Sequence, residues 1–374
     1  MGGGQNFPSR EASKEKEIVL CTLPWPEERA KKGIEELKKE FKNVDVHYFH
    51  SKYENGKVAA IDVPEDVMKR ASYLATLFWL PPSPSCIPNV KVIQFFSAGT
   101  NHVAKHPIYT DSKIPLCSAN GVHGPQIAEW VIMMDLVQSH NYVNLWELQK
   151  KKEWKQGAGM QVSDRVGKRV GILGYGSIGR QVARVAKAMG MDVIAYTASP
   201  RNTPESKKDR GYIVPGTGDP DGIFPSAWYS GTRKEDVHEF LKQEIDLLVV
   251  AVPLTEVTTH FLSTDEFELL HKSKSRRAGT YVANIARGQC IDQEALITAL
   301  EKGQISGAAL DVTDCEPLPA DDPLWNAPNV LITPHVSGSS DVYADRAFQV
   351  LIENIKREKS GGTLVNEVNR KRGY

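Results

Sequence analysis

The chain is expected to be an α/β protein built on two doubly wound parallel sheets. Three observations predict this. Strand-length apolar runs alternate with helical stretches in both halves of the sequence, the pattern of parallel strands joined by crossover helices. One run, Asp246 to Val252, is almost continuously apolar, as a central strand buried on both faces should be. A glycine-rich loop, Gly174-Tyr175-Gly176-Ser177-Ile178-Gly179, joins a strand to a helix.

The elements follow in order. The polar stretch up to about Lys16 reads as a flexible leader. Glu17 to Cys21 reads as a strand, Glu27 to Phe41 as an amphipathic helix and Val44 to Tyr48 as a second strand. Tyr73 to Trp79 and Val90 to Phe95 are two more apolar runs of strand length, and this first unit ends near Gly121. From Pro125 a helix begins that is apolar on more than one face, as helices buried between domains or subunits are. The basic run Lys150-Lys151-Lys152 reads as a solvated face.

A second alternating unit comes next. Arg169 to Leu173 is a strand, Ser177 to Met189 a helix and Asp192 to Tyr196 a strand. Ser199 to Lys234 shows no clear periodicity and is rich in Gly and Pro. A connection this long inside a domain is functional or an insertion. Its apolar Ile213, Val214, Ile223, Phe224 and Trp228 imply that it packs onto something. Apolar runs recur at Thr280 to Ile285, Gly307 to Val312 and Asn329 to Pro334. Asp341 to Lys359 reads as a helix that returns to the first unit. The expected division is 1–121 with 338–374 as one unit and 122–337 as the other.

Composition sets outer bounds. At 374 residues the chain can hold two cores, and 41% apolar with 25% charged residues is ordinary for a globular protein. A formal net charge of zero argues against a nucleic-acid partner. No apolar run approaches the ~18 residues of a membrane span. The start lacks an apolar signal region, Asn6 stands where a myristoylation signal wants Ser or Thr, and the end is a basic tail, so a cytoplasmic location is expected. Five cysteines (Cys21, Cys86, Cys117, Cys290, Cys315) show no metal-ligand spacing and read as reduced structural thiols; no metal site is expected.

The glycine loop carries the first chemistry. Gly174 permits a tight turn, Gly176 lets backbone approach a pyrophosphate and Gly179 lets the helix lie close to the strand. The helix from Ser177 then aims its N–H groups at the phosphates. The dinucleotide is read as NADP, with NAD as the alternative. No acid stands between Val193 and Pro204 to bond a ribose 2′-OH, whereas Thr197 and Ser199 can donate and Arg201 can pair with a 2′-phosphate.

The second chemistry is an ordered trio. Arg287, Glu316 and His335 each stand at or just past the end of an apolar run, where ligands bind in open parallel sheets. A 2-keto acid presents a carboxylate that Arg287 can hold by two parallel bonds. Its carbonyl oxygen needs a proton as hydride arrives, and a histidine supplies one near neutral pH. Glu316 is assigned as the partner that orients His335. Singly, each has a plainer reading: a surface ion-pair arginine, a loop glutamate before Pro317, a satisfied core histidine. The set downstream of a dinucleotide loop is what carries the assignment.

These residues bear a resemblance. Gly174 to Gly179, Asn284-Ile285-Ala286-Arg287-Gly288, Ala309-Leu310-Asp311-Val312 with Glu316-Pro317, and Thr333-Pro334-His335 resemble the D-isomer-specific 2-hydroxyacid dehydrogenases. The resemblance implies a Rossmann cofactor domain inserted into a discontinuous, flavodoxin-like substrate domain, and a homodimer. It implies that Asp311 meets the nicotinamide carboxamide, and that Val252, Pro253, Thr258, Ile285 and Ala286 line the cofactor groove. Ser97-Ala98-Gly99-Thr100 resembles the loop whose backbone N–H groups meet the substrate carboxylate. The missing acid at Thr197 is similar to the NADP-preferring glyoxylate and hydroxypyruvate reductase branch. The departures are the long Ser199 to Lys234 segment and the lack of a bulky aromatic after His335, which leaves a roomier pocket. The lack of a further regulatory domain counts against phosphoglycerate-type members, and Glu316 against formate dehydrogenases. The expected activity is reduction of a 2-keto acid such as glyoxylate or hydroxypyruvate. The rivals are a dinucleotide-sensing scaffold or corepressor, and an enzyme acting on another small anion such as phosphite.

Overall fold

The fold follows from runs of residues that can satisfy their backbone only in parallel ladders. A computed structural model describes residues 16–54, 57–58, 61–159, 162–273 and 279–370. The leader and the last four residues of the basic tail lie outside these.

The chain divides into two units, 1–118 with 347–368, and 119–346 with 369–374. In the first, β1 (Glu17–Leu23), α1 (Glu27–Glu40), β2 (Val44–His50), the ribbon β3 (Tyr53–Glu54) and β4 (Lys57–Val58), α2 (Glu65–Arg70), β5 (Ala71–Thr76), β6 (Val92–Phe95), α3 (Pro107–Thr110) and β7 (Leu116–Cys117) follow in order. The sheet runs β2-β1-β5-β6-β7, all parallel. That is the flavodoxin-like order, whose switch point lies between β1 and β5. α1 has Glu27 and Glu28 in its first turn and Lys38 and Lys39 in its last, matching the helix dipole, and buries Ala30, Ile34 and Leu37. The apolar run predicted to reach Trp79 leaves the ladder at Thr76, where the Thr76 hydroxyl donates to the Trp79 carbonyl at 2.6 Å and turns the chain.

The second unit opens with α4 (Gly124–Ser139) and α5 (Tyr142–Lys150). It continues through β8 (Arg169–Leu173), α6 (Ser177–Ala188), β9 (Asp192–Thr197), α7 (Pro204–Lys207), β10 (Ala227–Ser230), α8 (Lys234–Leu241) and β11 (Leu247–Val250). Then come α9 (Thr264–Ser273), β12 (Tyr281–Asn284), α10 (Gln293–Glu301), β13 (Gly307–Leu310) and β14 (Val330–Ile332). The seven strands lie β10-β9-β8-β11-β12-β13-β14, all parallel. This is the Rossmann order with its switch point between β8 and β11. Leu247, Leu248, Val249 and Val250 are fully buried, as a two-faced central strand requires. α11 (Tyr343–Ser360) follows, and its later turns belong to the first unit. There Phe348 sits so close to Gly33 of α1 that a side chain at Gly33 would collide with its ring.

The Ser199 to Lys234 segment departs from the sequence reading. It contains α7 and the edge strand β10, which pairs with β9 from Ala227↔Ile194 to Ser230↔Thr197. Phe224 and Trp228 pack on the core beneath, as expected, but Ile223 is 74% exposed. Cys21, Cys117 and Cys290 are buried free thiols, while Cys315 is exposed. Among the described residues no helix is long and apolar enough to cross a membrane, and no His, Cys, Asp and Glu cluster could hold a metal.

Candidate active site

The switch point of the larger sheet is built by the glycine turn. Gly174 has φ +107, and a Cβ there would stand 2.6 Å from the Ala251 carbonyl at the end of β11. Only glycine fits both constraints. A Cβ at Gly179 would stand 2.5 Å from the Gly174 oxygen, so this glycine sets how closely α6 approaches β8. Gly176 differs: it is exposed, and nothing lies within 4 Å of where its Cβ would be. It caps α6 without a side-chain hydrogen bond, and no acid stands in the helix's first turn. Unsatisfied N–H groups, a positive dipole end and open space fit a pyrophosphate. Ile178 is half-buried, and the Ser177 hydroxyl donates to Asn120 Oδ1 at 2.7 Å.

The rest of the dinucleotide edge is more committed than the sequence implied. The Thr197 hydroxyl donates to the Ser199 carbonyl at 2.8 Å, and Ser199 is exposed. Arg201 is half-buried, with Nη1 donating to the Ser206 carbonyl at 2.6 Å and a buried Nε that has no partner among the described residues. Val252, Pro253 and Thr258 lie beyond β11, where the Thr258 hydroxyl donates to the Pro253 carbonyl at 2.6 Å and closes the loop. Ile285 and Ala286 are buried just beyond β12.

Arg287, Glu316 and His335 follow the carboxyl ends of β12, β13 and β14, three neighbouring strands. His335 Nδ1 lies 2.9 Å from Glu316 Oε2. Burial works to raise the Glu316 pKa, but the His335 hydrogen bond and charge, with the Arg287 guanidinium, win and hold the carboxyl below its ordinary value. The carboxylate at neutral pH therefore accepts a hydrogen bond from Nδ1–H, which leaves Nε2 for other work. Arg287 is half-buried, with Nη1 donating to the Ala286 carbonyl at 2.6 Å. Its turn is tied by Asn284, whose amide donates to the Arg287 carbonyl at 3.1 Å while Oδ1 accepts from Ala286 N at 3.1 Å. Gly288 then passes so near the Thr313 carbonyl that no side chain could stand there.

Asp311 is only 2% exposed. Its Oδ1 accepts from the Thr333 hydroxyl at 2.6 Å and Val336 N at 2.9 Å, and its Oδ2 from Ser337 N at 2.9 Å and the Ser337 hydroxyl. The Asp311 carbonyl also accepts from His335 N at 2.8 Å. This wraps the turn around Asp311 and holds His335 at φ +55, a conformation costly for a residue with a side chain. Thr333, Ser337 and Asn284 tie these turns together, and the sequence reading assigned none of them to the site. An acid ending a strand shortly before a Thr- and Ser-bearing turn was the available signal. In the other unit, Ser97, Ala98 and Gly99 form a turn after β6, with the Ser97 hydroxyl donating to the Gly99 carbonyl at 2.8 Å.

Comparison with known proteins agrees with this geometry. Residues 132–215 and 224–337 match the model of the D-isomer specific 2-hydroxyacid dehydrogenase NAD binding domain. A glyoxylate reductase of Korarchaeum cryptofilum is 27% identical over 285 residues, covering 75% of this chain and 77% of its own. Glyoxylate/hydroxypyruvate reductase A of Salmonella paratyphi B is 27% identical over 304 residues, covering 80% and 86%. An NADPH-dependent glyoxylate/hydroxypyruvate reductase of Sinorhizobium meliloti, solved with NADP and sulfate, superposes with a TM-score of 0.72 at 26% identity, over 96% of this chain and 100% of that one. The family match takes in more than half of the sequence, from α4 through the glycine turn to His335. With the Rossmann strand order and the turn fitted to a pyrophosphate, it places the chain in the D-isomer specific 2-hydroxyacid dehydrogenase family, as an NAD(P)-dependent oxidoreductase.

Proposed function

We propose that this chain reduces 2-keto acids of the glyoxylate and hydroxypyruvate class to D-2-hydroxy acids, with NADPH preferred and NADH the alternative. The observation that carries the reading is the His335–Glu316 pair, at 2.9 Å, beside Arg287 on neighbouring strands of a dinucleotide sheet. Arg287, with one edge fixed by Ala286, holds the substrate carboxylate through its remaining donors. Fixing the carboxylate fixes the tilt of the adjacent carbonyl. His335, oriented by Glu316, gives its Nε2 proton to the carbonyl oxygen, or takes it back from the alcohol in the other direction. The bound dinucleotide would supply the hydride, held at Gly174, Gly176, Ser177, Ile178 and Gly179. Thr197, Ser199, Arg201, Val252, Pro253, Thr258, Ile285 and Ala286 would line its groove. Asp311, spent on the His335 turn, acts first as the anchor of that turn. Ser97, Ala98 and Gly99 are read as a carboxylate-binding backbone turn.

NADPH preference rests on the absent acid after β9 and on Arg201, and the Sinorhizobium relative was solved with NADP. The test is oxidation of NADPH and NADH at saturating glyoxylate, hydroxypyruvate and phenylpyruvate. Turnover with NADPH should exceed that with NADH by about tenfold or more, the worth of one charge-assisted phosphate contact. No turnover with either, despite tight dinucleotide binding, would favour a sensor. We also read the chain as a homodimer, because α4, α5 and the stretch after them expose Met133, Tyr142, Val143, Trp146 and Trp154.

A further inference from the structure

Residues 216–223 fall between the two stretches that the family model matches. They are not a free loop. Gly218 N donates to Gln181 Oε1 at 2.6 Å, and the Gly218 carbonyl accepts from Arg184 Nε at 2.7 Å. The Asp219 carbonyl accepts from Arg180 Nη1, while Arg180 Nη2 donates to the Lys207 carbonyl at 2.6 Å. Three polar side chains of α6 are thus spent on holding this segment and α7 against the helix that follows the glycine turn. Gly222, at φ +67, lies so near the Lys207 carbonyl that only glycine fits.

The segment also reaches the turn itself. Asp219 is 1% exposed. Its carboxylate accepts from Ile223 N at 3.0 Å, from Phe224 N at 3.2 Å and from the Tyr175 hydroxyl at 2.7 Å. Tyr175 is the residue between Gly174 and Gly176. Tyr175 is 4% exposed, its ring edge-on to that of Trp228 with centroids 5.0 Å apart, and the Arg180 guanidinium lies 5.1 Å from the Tyr175 ring centroid. The two glycines have no side chains to restrain them and lose the most freedom when ordered. Tyr175 is the one side chain between them that can fix their backbone, and Asp219 fixes Tyr175.

We propose that segment 216–223 is a positioning element for the dinucleotide: through the Asp219 carboxylate and the Tyr175 hydroxyl it holds the Gly174–Gly176 backbone in its phosphate-binding shape and so sets dinucleotide affinity. The inference rests on reading Gly174 to Gly179 as the phosphate turn. Ordering done before binding need not be done during it, so the loss should appear in dinucleotide affinity.

The test compares wild type with Asp219→Asn, Tyr175→Phe and the double variant. NADPH dissociation constants come from fluorescence titration. Apo-protein melting, kcat and the KM values for NADPH and the keto acid are measured alongside. Asp219→Asn should raise the NADPH Kd and KM about tenfold, the scale of one hydrogen bond to a charged group. Its kcat at saturating NADPH and its keto-acid KM should stay within about twofold, a split that a merely structural role would not produce. Tyr175→Phe should raise Kd alike and the double variant should add little, because the two groups act as one unit. If Asp219→Asn does not fold, Tyr175→Phe, which keeps the ring contacts, decides the matter. Variants that melt lower yet bind NADPH as wild type does would overturn the inference. A wild type that binds neither NADPH nor NADH would instead overturn the phosphate-turn reading.

Discussion

His335 sits in a backbone conformation that few residues with side chains adopt, and the cost, about 1–3 kcal/mol, must be met by its surroundings. Asp311 meets it with four accepted hydrogen bonds from the turn and a carbonyl that takes the His335 N–H. The roles proposed for the site residues should therefore separate kinetically. Arg287→Ala removes the carboxylate clamp and should raise the keto-acid KM strongly. His335→Ala removes the proton donor and should lower kcat by roughly 10²–10⁴-fold. Asp311→Asn leaves His335 in place but weakens the turn that presents it, since an amide cannot accept on both arms. Its kcat should fall by about tenfold to a hundredfold with the keto-acid KM little changed. Steady-state kinetics at saturating NADPH reads all three. Near-wild-type activity in Arg287→Ala and His335→Ala would remove the site assignment altogether.

At the scale of elements, α4 begins beside an unusual residue. His123 stands at its N-cap, is 6% exposed, faces Tyr343 edge-on at 4.6 Å and has no partner on Nδ1 among the described residues. Burial, helped by the nearby Arg346 charge, pushes its pKa down to about 4. The folded value is thus below the ordinary 6.5 of an unfolded histidine. Above about pH 6.5 neither state binds the proton, and nothing is lost. As the pH falls from there toward 4, the unfolded chain takes up a proton that the folded one refuses, so stability drops by up to about 1.4 kcal/mol per unit. His123→Asn should flatten that slope: the fall in Tm between pH 7 and pH 5 should be smaller than in wild type. Equal slopes would mean that His123 is not held neutral. The same scale shows what the sequence could convey. Most strands of both units were legible because two-faced burial demands unbroken apolar runs such as Leu247 to Val250. Arg287, Glu316 and His335 could be singled out as a set because parallel strands deliver their carboxyl ends to one edge. β10 was not, because an edge strand of four half-buried residues carries no periodicity. Helices α9 and α10 drew no assignment, and Asp219 looked like any aspartate in a Gly- and Pro-rich loop. Its burial against Tyr175 exists only once the segment has folded onto α6.

For the whole molecule, what needs explaining is apolar surface that folding leaves uncovered. Met133, Tyr142, Val143 and Trp146 are each 45–52% exposed, and Trp154 is 90% exposed. An aromatic residue of this size buries about 150–250 Å² when covered, so these side chains together exceed the few hundred Å² that monomers usually leave bare. All of them belong to α4, α5 and the stretch just after them, within residues 133–154. A second copy covers such a stretch most economically, since a two-fold interface uses the same residues twice. Wild type should therefore sediment as a dimer at micromolar concentration. Trp146→Glu with Trp154→Glu should shift it to monomer, weakening association by about a thousandfold or more, since each change places a charge where an apolar anchor was buried. Both positions are exposed in the single chain, so the variant should keep its circular dichroism and its dinucleotide binding. A monomeric wild type would remove the dimer reading. A dimer that survives both substitutions would keep the dimer and move its interface to another face of the molecule.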